Sequence, residues 1–154
     1  MAFERSGKWN PGGGRYVEVV PAAGVESYTR ASLTAPAAIT LRPGFSWQRI
    51  YTTPGTLSYQ CDQSTDDNGR LWITTVKGFM PDDDVNRGVS MARLAMYITV
   101  LVRFVDNNGM KRQAGTPTEG LAFTYIQGTG DDVPNDRGFT FTISGPQTQP
   151  PAYE

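Results

Sequence analysis

The sequence predicts an all-β fold with one short helix, a sandwich or barrel of about seven or eight mainly antiparallel strands. Three observations carry that expectation. Apolar residues alternate with period two through most of the middle of the chain, as strands with one buried face require. Glycine and proline supply 17 and 11 of the 154 residues, which favours many turns between short elements. Two similar tetrapeptides, Asp66-Asp67-Asn68-Gly69 and Asp106-Asn107-Asn108-Gly109, each separate two β-rich runs, and Asn-Gly tolerates the positive φ of tight hairpins.

Each element follows from its own pattern. Over residues 15–20, Val17 and Val19 share one face and Tyr16, Glu18 and Val20 the other. Residues 45–51 place Phe45, Trp47, Arg49 and Tyr51 together. Leu57, Tyr59 and Cys61 alternate with Ser58 and Gln60, and the chain returns through residues 71–76 after the first Asn-Gly. Residues 97–105 form the strongest strand, with Ile98, Val100, Val102 and Phe104 on one face and Tyr97, Thr99, Leu101, Arg103 and Val105 on the other. Apolar residues on both faces predict a central position. The second Asn-Gly turn leads back through residues 110–114, and residues 121–126 and 139–143 complete the set. In the last, Phe139, Phe141 and Ile143 point one way and Thr140 and Thr142 the other.

One stretch departs from period two. Asp82, Asp83 and Asp84 suit the positive end of a helix, and Val85, Val89, Ala92 and Met96 recur at helical spacing, which predicts a short helix near residues 84–96. Gly88 weakens it by about 1 kcal/mol relative to alanine. Residues 1–14, ending in Asn10-Pro11-Gly12-Gly13-Gly14, lack periodicity. Residues 145–154 hold Pro146, Pro150 and Pro151 and are not expected to continue a sheet. Both ends therefore read as extended arms around a single domain at residues 15–144.

Composition excludes several chemistries. With 14 basic and 15 acidic residues, the chain offers no global field for polyphosphate. The absence of histidine removes Ser-His-Asp triads, Cys-His dyads and histidine zinc sites. The single cysteine, Cys61, forms neither an internal disulfide nor a thiolate cage and reads as a structural side chain. The start, Met-Ala-Phe-Glu-Arg-Ser-Gly-Lys, has no apolar stretch of a signal peptide. The longest apolar run, residues 97–105, is interrupted by Thr99 and Arg103 and falls far short of a membrane span. The expectation is synthesis in the cytosol and no membrane contact.

No motif predicts catalysis, a cofactor or a metal. Three consecutive aspartates at a helix start do not converge on one cation, so Asp82, Asp83 and Asp84 read as helix-end charge compensation. Residues 106–109 lack the alternating acidic spacing of a calcium loop. Glu18, Glu26 and Glu119 show no pairing of the kind that glycoside hydrolysis needs. Asp131, Asp132 and Asp136 sit in a Gly/Pro/Asn-rich loop as turn residues. The aromatic residues leave two readings open: a row of exposed rings that binds sugars, or Trp47 and Trp72 as core or subunit-contact residues, the second being favoured.

The compound pattern of the second half carries a resemblance. A strand precedes Asp106-Asn107-Asn108-Gly109, followed by Arg112, Gly115-Thr116-Pro117, Phe123, Thr129-Gly130, Asp136-Arg137-Gly138-Phe139 and the strand Thr-Phe-Thr-Ile-Ser-Gly ending at Gly145. Upstream, Asp67-Asn68-Gly69 and Lys77-Gly78-Phe79-Met80-Pro81 extend it. Over roughly residues 55–145 this resembles the small β-rich structural proteins of bacteriophage tails, the tail-tube type in particular. The resemblance implies a sandwich with one flanking helix and no catalytic residue. It implies assembly into stacked hexameric rings of a virion tail in the host cytoplasm. Partners would be further copies of the chain and other tail or neck proteins, with genome DNA only as passing cargo. Tail terminator, neck or capsid-decoration proteins are alternatives within that class, and a monomeric carbohydrate-binding sandwich is one outside it.

Subunit-contact candidates follow from placement. Trp9 and Tyr16 are expected to anchor the N-terminal arm and Tyr153 the C-terminal one. The loop over residues 128–138, with Asp131, Asp132, Asp136 and Arg137, and the hairpin tip at Asp67, Asn68 and Gly69 are expected to project toward neighbours.

Overall fold

A computed structural model describes residues 11–32, 35–131 and 137–154. The described residues form eleven strands, one α-helix and a single 3-10 turn at Ala22–Gly24: β1 (Gly14–Pro21), β2 (Val25–Thr29), β3 (Ala38–Leu41), β4 (Gln48–Ile50), β5 (Ser58–Asp66), β6 (Gly69–Pro81), α1 (Val85–Ala95), β7 (Val100–Asp106), β8 (Lys111–Ala114), β9 (Ala122–Gly128), β10 (Gly138–Gln147) and β11 (Ala152–Tyr153). Every strand pairing is antiparallel. One sheet runs in the order β11-β8-β7-β1-β4, the second in the order β5-β6-β10-β9, and β2 and β3 form a separate hairpin. The fold is all-β with one helix, as the period-two pattern predicts.

The two large sheets face each other across the main core. Val17, Val19, Val102 and Phe104 come from the first sheet, and Val76, Phe123, Phe139, Phe141 and Ile143 from the second. Alternation explains the split: Phe139, Phe141 and Ile143 are fully buried, while Thr140 and Thr142 turn to the opposite side. Ring pairs add directional contacts, with Phe123 on Phe141 at 6.2 Å and Tyr125 edge-on to Phe139 at 5.8 Å. Such pairs contribute roughly 0.5–1.5 kcal/mol each beyond the area they bury.

β7 is central, between β1 and β8, and is apolar on both sides. Its second face is covered by the β2–β3 hairpin. Leu101 of β7, Val20 of β1 and Val25 of β2 make a second core, joined by Tyr28, Ile39, Leu41 and Trp47. The first sheet is therefore the middle of three layers over this region. Trp47 is half-buried and packs against this second core.

Several expectations are corrected. The strand predicted at residues 97–105 starts at Val100, because α1 and its cap run through Met96, and Ile98 is 92% exposed instead of joining the buried face. The strand predicted at residues 45–51 shrinks to Gln48–Ile50. Phe45 is drawn away to pack edge-on against Tyr97 at 6.4 Å, and Tyr51 is exposed. The C-terminal tail does continue a sheet: β10 runs through Pro146, and β11 pairs Ala152 with Gln113 and Tyr153 with Arg112. Pro146 is tolerated because the last β9 pair is Ser144↔Ala122, so β10 has only β6 beside it at the proline. Among the described residues of the N-terminal arm, Gly14 already belongs to β1, while residues 1–10 lie outside the description.

The helix forms where predicted, capped by Asp84, whose carboxylate accepts the Arg87 backbone N–H at 2.8 Å. Its buried side is not the one that the spacing picks out. Met91 and Leu94 enter the core, whereas Val85, Val89, Ala92 and Met96 face outward. The turn of helix that carries Gly88 lies beside Phe139, with room for a methyl group at that position.

This assignment of faces is measurable. Met91→Ala should destabilise the fold by about 2–5 kcal/mol in urea titrations, while Met96→Ala changes it by less than about 0.5 kcal/mol. Equal effects would mean that the helix is rotated.

Candidate functional site

The distinctive surfaces are strand edges and the elements that project beside them. Among the described residues, the second sheet ends in two unpaired edges: β5, nine residues long with only β6 beside it, and β9, seven residues long with only β10. The corresponding edges of the first sheet, β11 and β4, are two and three residues long. Long edges present rows of free N–H and C=O groups that pair readily with another strand.

The β5–β6 hairpin also overruns its sheet. β10 stops at Gln147↔Trp72, so the pairs Ser64↔Leu71, Thr65↔Arg70 and Asp66↔Gly69 have no third strand. At the tip, Asp67, Asn68 and Gly69 are exposed, as expected of a projecting element. The Asp66 carboxylate accepts the Asn68 N–H at 2.8 Å, and Gly69 alone takes a positive φ, 124°. The same device closes the β7–β8 turn, where Gly109 has φ 82°. In both turns glycine, and not the asparagine before it, supplies the left-handed residue.

The β7–β8 turn also fastens the root of the N-terminal arm. Asn107 Nδ2 donates to the Gly12 carbonyl at 2.7 Å, and the Asn107 backbone N–H donates to Gly13 at 3.3 Å. Asp106 braces the turn from within. Its Oδ1 accepts the N–H groups of Asn108 and Met110, each at 2.9 Å, and its Oδ2 accepts from Arg112 at 2.9 Å. Burial alone would push the Asp106 carboxyl up, but the hydrogen bonds from Arg112, Met110 and Asn108 outweigh it and hold it below the usual carboxylate range. Arg112 lies between the Tyr59 and Tyr153 rings, at 5.4 and 5.5 Å, and burial raises the Tyr59 hydroxyl above the ordinary tyrosine value. Tyr153 thus anchors the C-terminal segment, within its own chain.

Tyr16 is a residue of the first sheet. It sits in β1 beneath the Arg49 guanidinium at 3.7 Å, and Arg49 pairs with Glu18 at 3.1 Å. Beside it Arg103 lies over Trp47 at 4.1 Å and pairs with Glu154 at 3.1 Å. The outer face of the first sheet is thus charged but internally paired. Of the 128–138 loop, Asp131 and Arg137 are exposed, while Asp132 and Asp136 lie outside the described residues, as does Trp9. The contact candidates among the described residues do not come together in one site.

The acidic cluster at the helix start is used locally. Asp84 caps α1 and pairs with Arg87 at 2.6 Å, and Asp83 accepts from Gln127 at 2.8 and 2.9 Å. Among the described residues no group of three or more metal-ligating side chains comes together. No helix among them is long and apolar enough to cross a membrane. A groove of about 1090 Å³ opens between the end of β2 and the C-terminal segment, with Tyr28, Arg30, Gln113, Glu119, Gln147 and Tyr153 in its walls. Glu119 is committed to Thr148, accepting its N–H at 3.1 Å and its hydroxyl at 2.9 Å. Gln113 donates to the Gly115 carbonyl at 2.6 Å, and the buried Gln147 Oε1 has no hydrogen-bond partner among the described residues.

Two features escaped the sequence reading. The β2–β3 hairpin was signalled by the short alternation of Ile39 and Leu41, and the outward apolar side of α1 by the presence of apolar residues on two helix faces. Comparison with protein-family models, curated proteins and solved structures returns no match.

The Asp106 brace has a pH signature. A carboxyl whose folded pKa is depressed stabilises the fold above the unfolded value, near 4, and that contribution is lost as pH falls through the folded value. Asp106→Asn should cost roughly 1.5–3 kcal/mol at neutral pH. The gap from wild type should narrow steadily as pH falls below about 4 when urea midpoints are compared. A gap independent of pH would remove the role of the charge.

Proposed function

We propose that this chain is a self-assembling structural protein of a tailed-bacteriophage particle, with the tail tube as the leading assignment and tail terminator, neck or capsid decoration as alternatives. The observation that carries the proposal is the pair of long, unpaired edges, β5 and β9, on opposite margins of one sheet. Two different edges of one sheet make a head-to-tail contact, β5 of one copy against β9 of the next, which closes into a ring when the rotation is right. The β5–β6 tip and the arm rooted at residues 11–13 then lie where neighbouring copies or rings meet. In this reading the chain carries no catalytic residue, and DNA passes through the assembly without being gripped, in keeping with 14 basic against 15 acidic residues.

A second reading has its own observation. The groove beside Tyr28 and Tyr153 has the size of a small-molecule site, so a monomeric carbohydrate-binding sandwich remains the competing assignment.

Negative-stain imaging and light scattering on the purified chain separate the two. Rings or tubes support assembly, whereas a 16.9 kDa monomer that binds glycans supports the alternative. Of the adjacent substitutions Thr124→Pro and Tyr125→Pro, one places proline where the N–H of β9 points away from β10. That variant should fold and fail to form rings. Rings that persist with it would dismiss the β9 edge as a contact.

A further inference from the structure

We infer that Asn68, at the tip of the β5–β6 hairpin, is a site of spontaneous covalent modification. Its side-chain amide is lost to give aspartate and isoaspartate, while Asn108 in the corresponding β7–β8 turn is protected by the fold. The inference concerns the chemistry of the free chain and does not rest on the assembly reading.

Two asparagines in the chain precede glycine, Asn68 and Asn108. With no side chain on the following residue, its backbone nitrogen is open to approach the asparagine amide. The Gly69 nitrogen, deprotonated by hydroxide, adds to the Asn68 Cγ. The N–Cγ bond forms, the Cγ–Nδ2 bond breaks, and Nδ2 takes up a proton and leaves as ammonia. Water then opens the cyclic imide at either carbonyl carbon, which yields aspartate or isoaspartate. Neither step needs an oxidant, a reductant or a second protein group. Ring closure twists the backbone between residues 68 and 69, so the reaction is limited by how readily the turn opens.

Local stability separates the two sites. Both asparagines are exposed, so access alone does not distinguish them. Around Asn68 all of residues 62–70 are exposed, and the last three pairs of the hairpin have no third strand. The Asn68 N–H donates to Asp66 Oδ1 at 2.8 Å, but its side-chain amide makes no hydrogen bond among the described residues.

The second turn is tied from several sides. Asp106 Oδ1 accepts the N–H groups of Asn108 and Met110, and its Oδ2 accepts from Arg112. Asn107 donates to Gly12 at 2.7 Å and to Gly13 at 3.3 Å, and Asn108 Nδ2 reaches the Pro11 carbonyl at 3.4 Å. Opening this turn breaks contacts to the segment at residues 11–13, which have no counterpart at Asn68.

The product alters the tip and spares the core. A carboxylate at position 68 joins those of Asp66 and Asp67, so like charges gather in one turn. Isoaspartate also lengthens the backbone by one carbon, which displaces the Asp66↔Gly69 pair.

Peptide mapping of the full chain tests the inference. One sample is held folded at body temperature and mildly alkaline pH for several days, and a parallel sample is held in denaturing urea. Each conversion adds about 1 Da to a peptide, and chromatography separates the two products. In the folded chain Asn68 should convert at least about tenfold faster than Asn108, the factor that one or two hydrogen bonds impose when they must open first. In urea the two rates should converge. Equal rates in the folded chain, or an Asn68 that converts only in urea, overturn the inference. A gap of the same size in urea assigns the difference to flanking residues and overturns it as well. Asn107→Ala, which removes the tie to Gly12, should speed Asn108 several-fold and leave Asn68 unchanged; an Asn108 that does not respond refutes its protection by that contact.

Discussion

The structure depends on the double-sided apolar character of β7. A strand that buries Val102 and Phe104 on one face and Leu101 on the other cannot sit at a surface, because either face left wet would forfeit about 1.5–3 kcal/mol per large side chain. The chain meets this with unequal covers. A four-stranded sheet closes one face, and the small β2–β3 hairpin, helped by Trp47, closes the other. The second sheet makes a smaller demand, since its outer side is mostly polar and apolar residues there, such as Ile73 and Ile126, stay exposed. It therefore serves as an outer layer, with both long margins open.

That asymmetry separates a stable interior from adaptable margins. The short edges, β4 and β11, belong to the well-covered sheet, and side chains around them are tied within the chain: Arg49 to Glu18 and Tyr16, Arg103 to Trp47 and Glu154. The long edges belong to the sheet whose outer side is hydroxyl-rich, with Thr140, Thr142, Ser144 and Thr124 in neighbouring positions. Bracing is local as well. Asp106 closes one turn with two backbone N–H groups and a guanidinium, and through Asn107 the same turn holds the first described residues of the chain. The chain can present its ends and edges to a neighbour without loosening its core.

Much of this was legible in the residues. Period two located eight of the strands, the apolar faces of residues 139–143 and the central place of β7, because burial on one or two faces writes itself directly into alternation. The helix start was legible from its aspartates. Its orientation was not: the stripe of Val85, Val89, Ala92 and Met96 and the buried pair Met91 and Leu94 are both apolar, and only the position of the sheets decides between them. The proline-rich end was misjudged for a related reason. Proline forbids a ladder hydrogen bond, but whether one is needed depends on how far β9 extends, a property of a distant segment. The short strands β2 and β11 carry too few residues for periodicity to speak, β3 shows only the single alternation of Ile39 and Leu41, and the separation of the margins from one another is a matter of topology alone.

The place of β1 has a consequence for biosynthesis. Val17 pairs with Phe104, 87 positions later in the chain, and before then its only sheet partner is the three-residue β4. At translation speeds of about 5–20 residues per second, the nascent strand waits on the order of ten seconds before β7 leaves the ribosome. Throughout that interval Val17, Val19 and Val20 are without their permanent cover, and each new polypeptide offers chaperones a sticky segment.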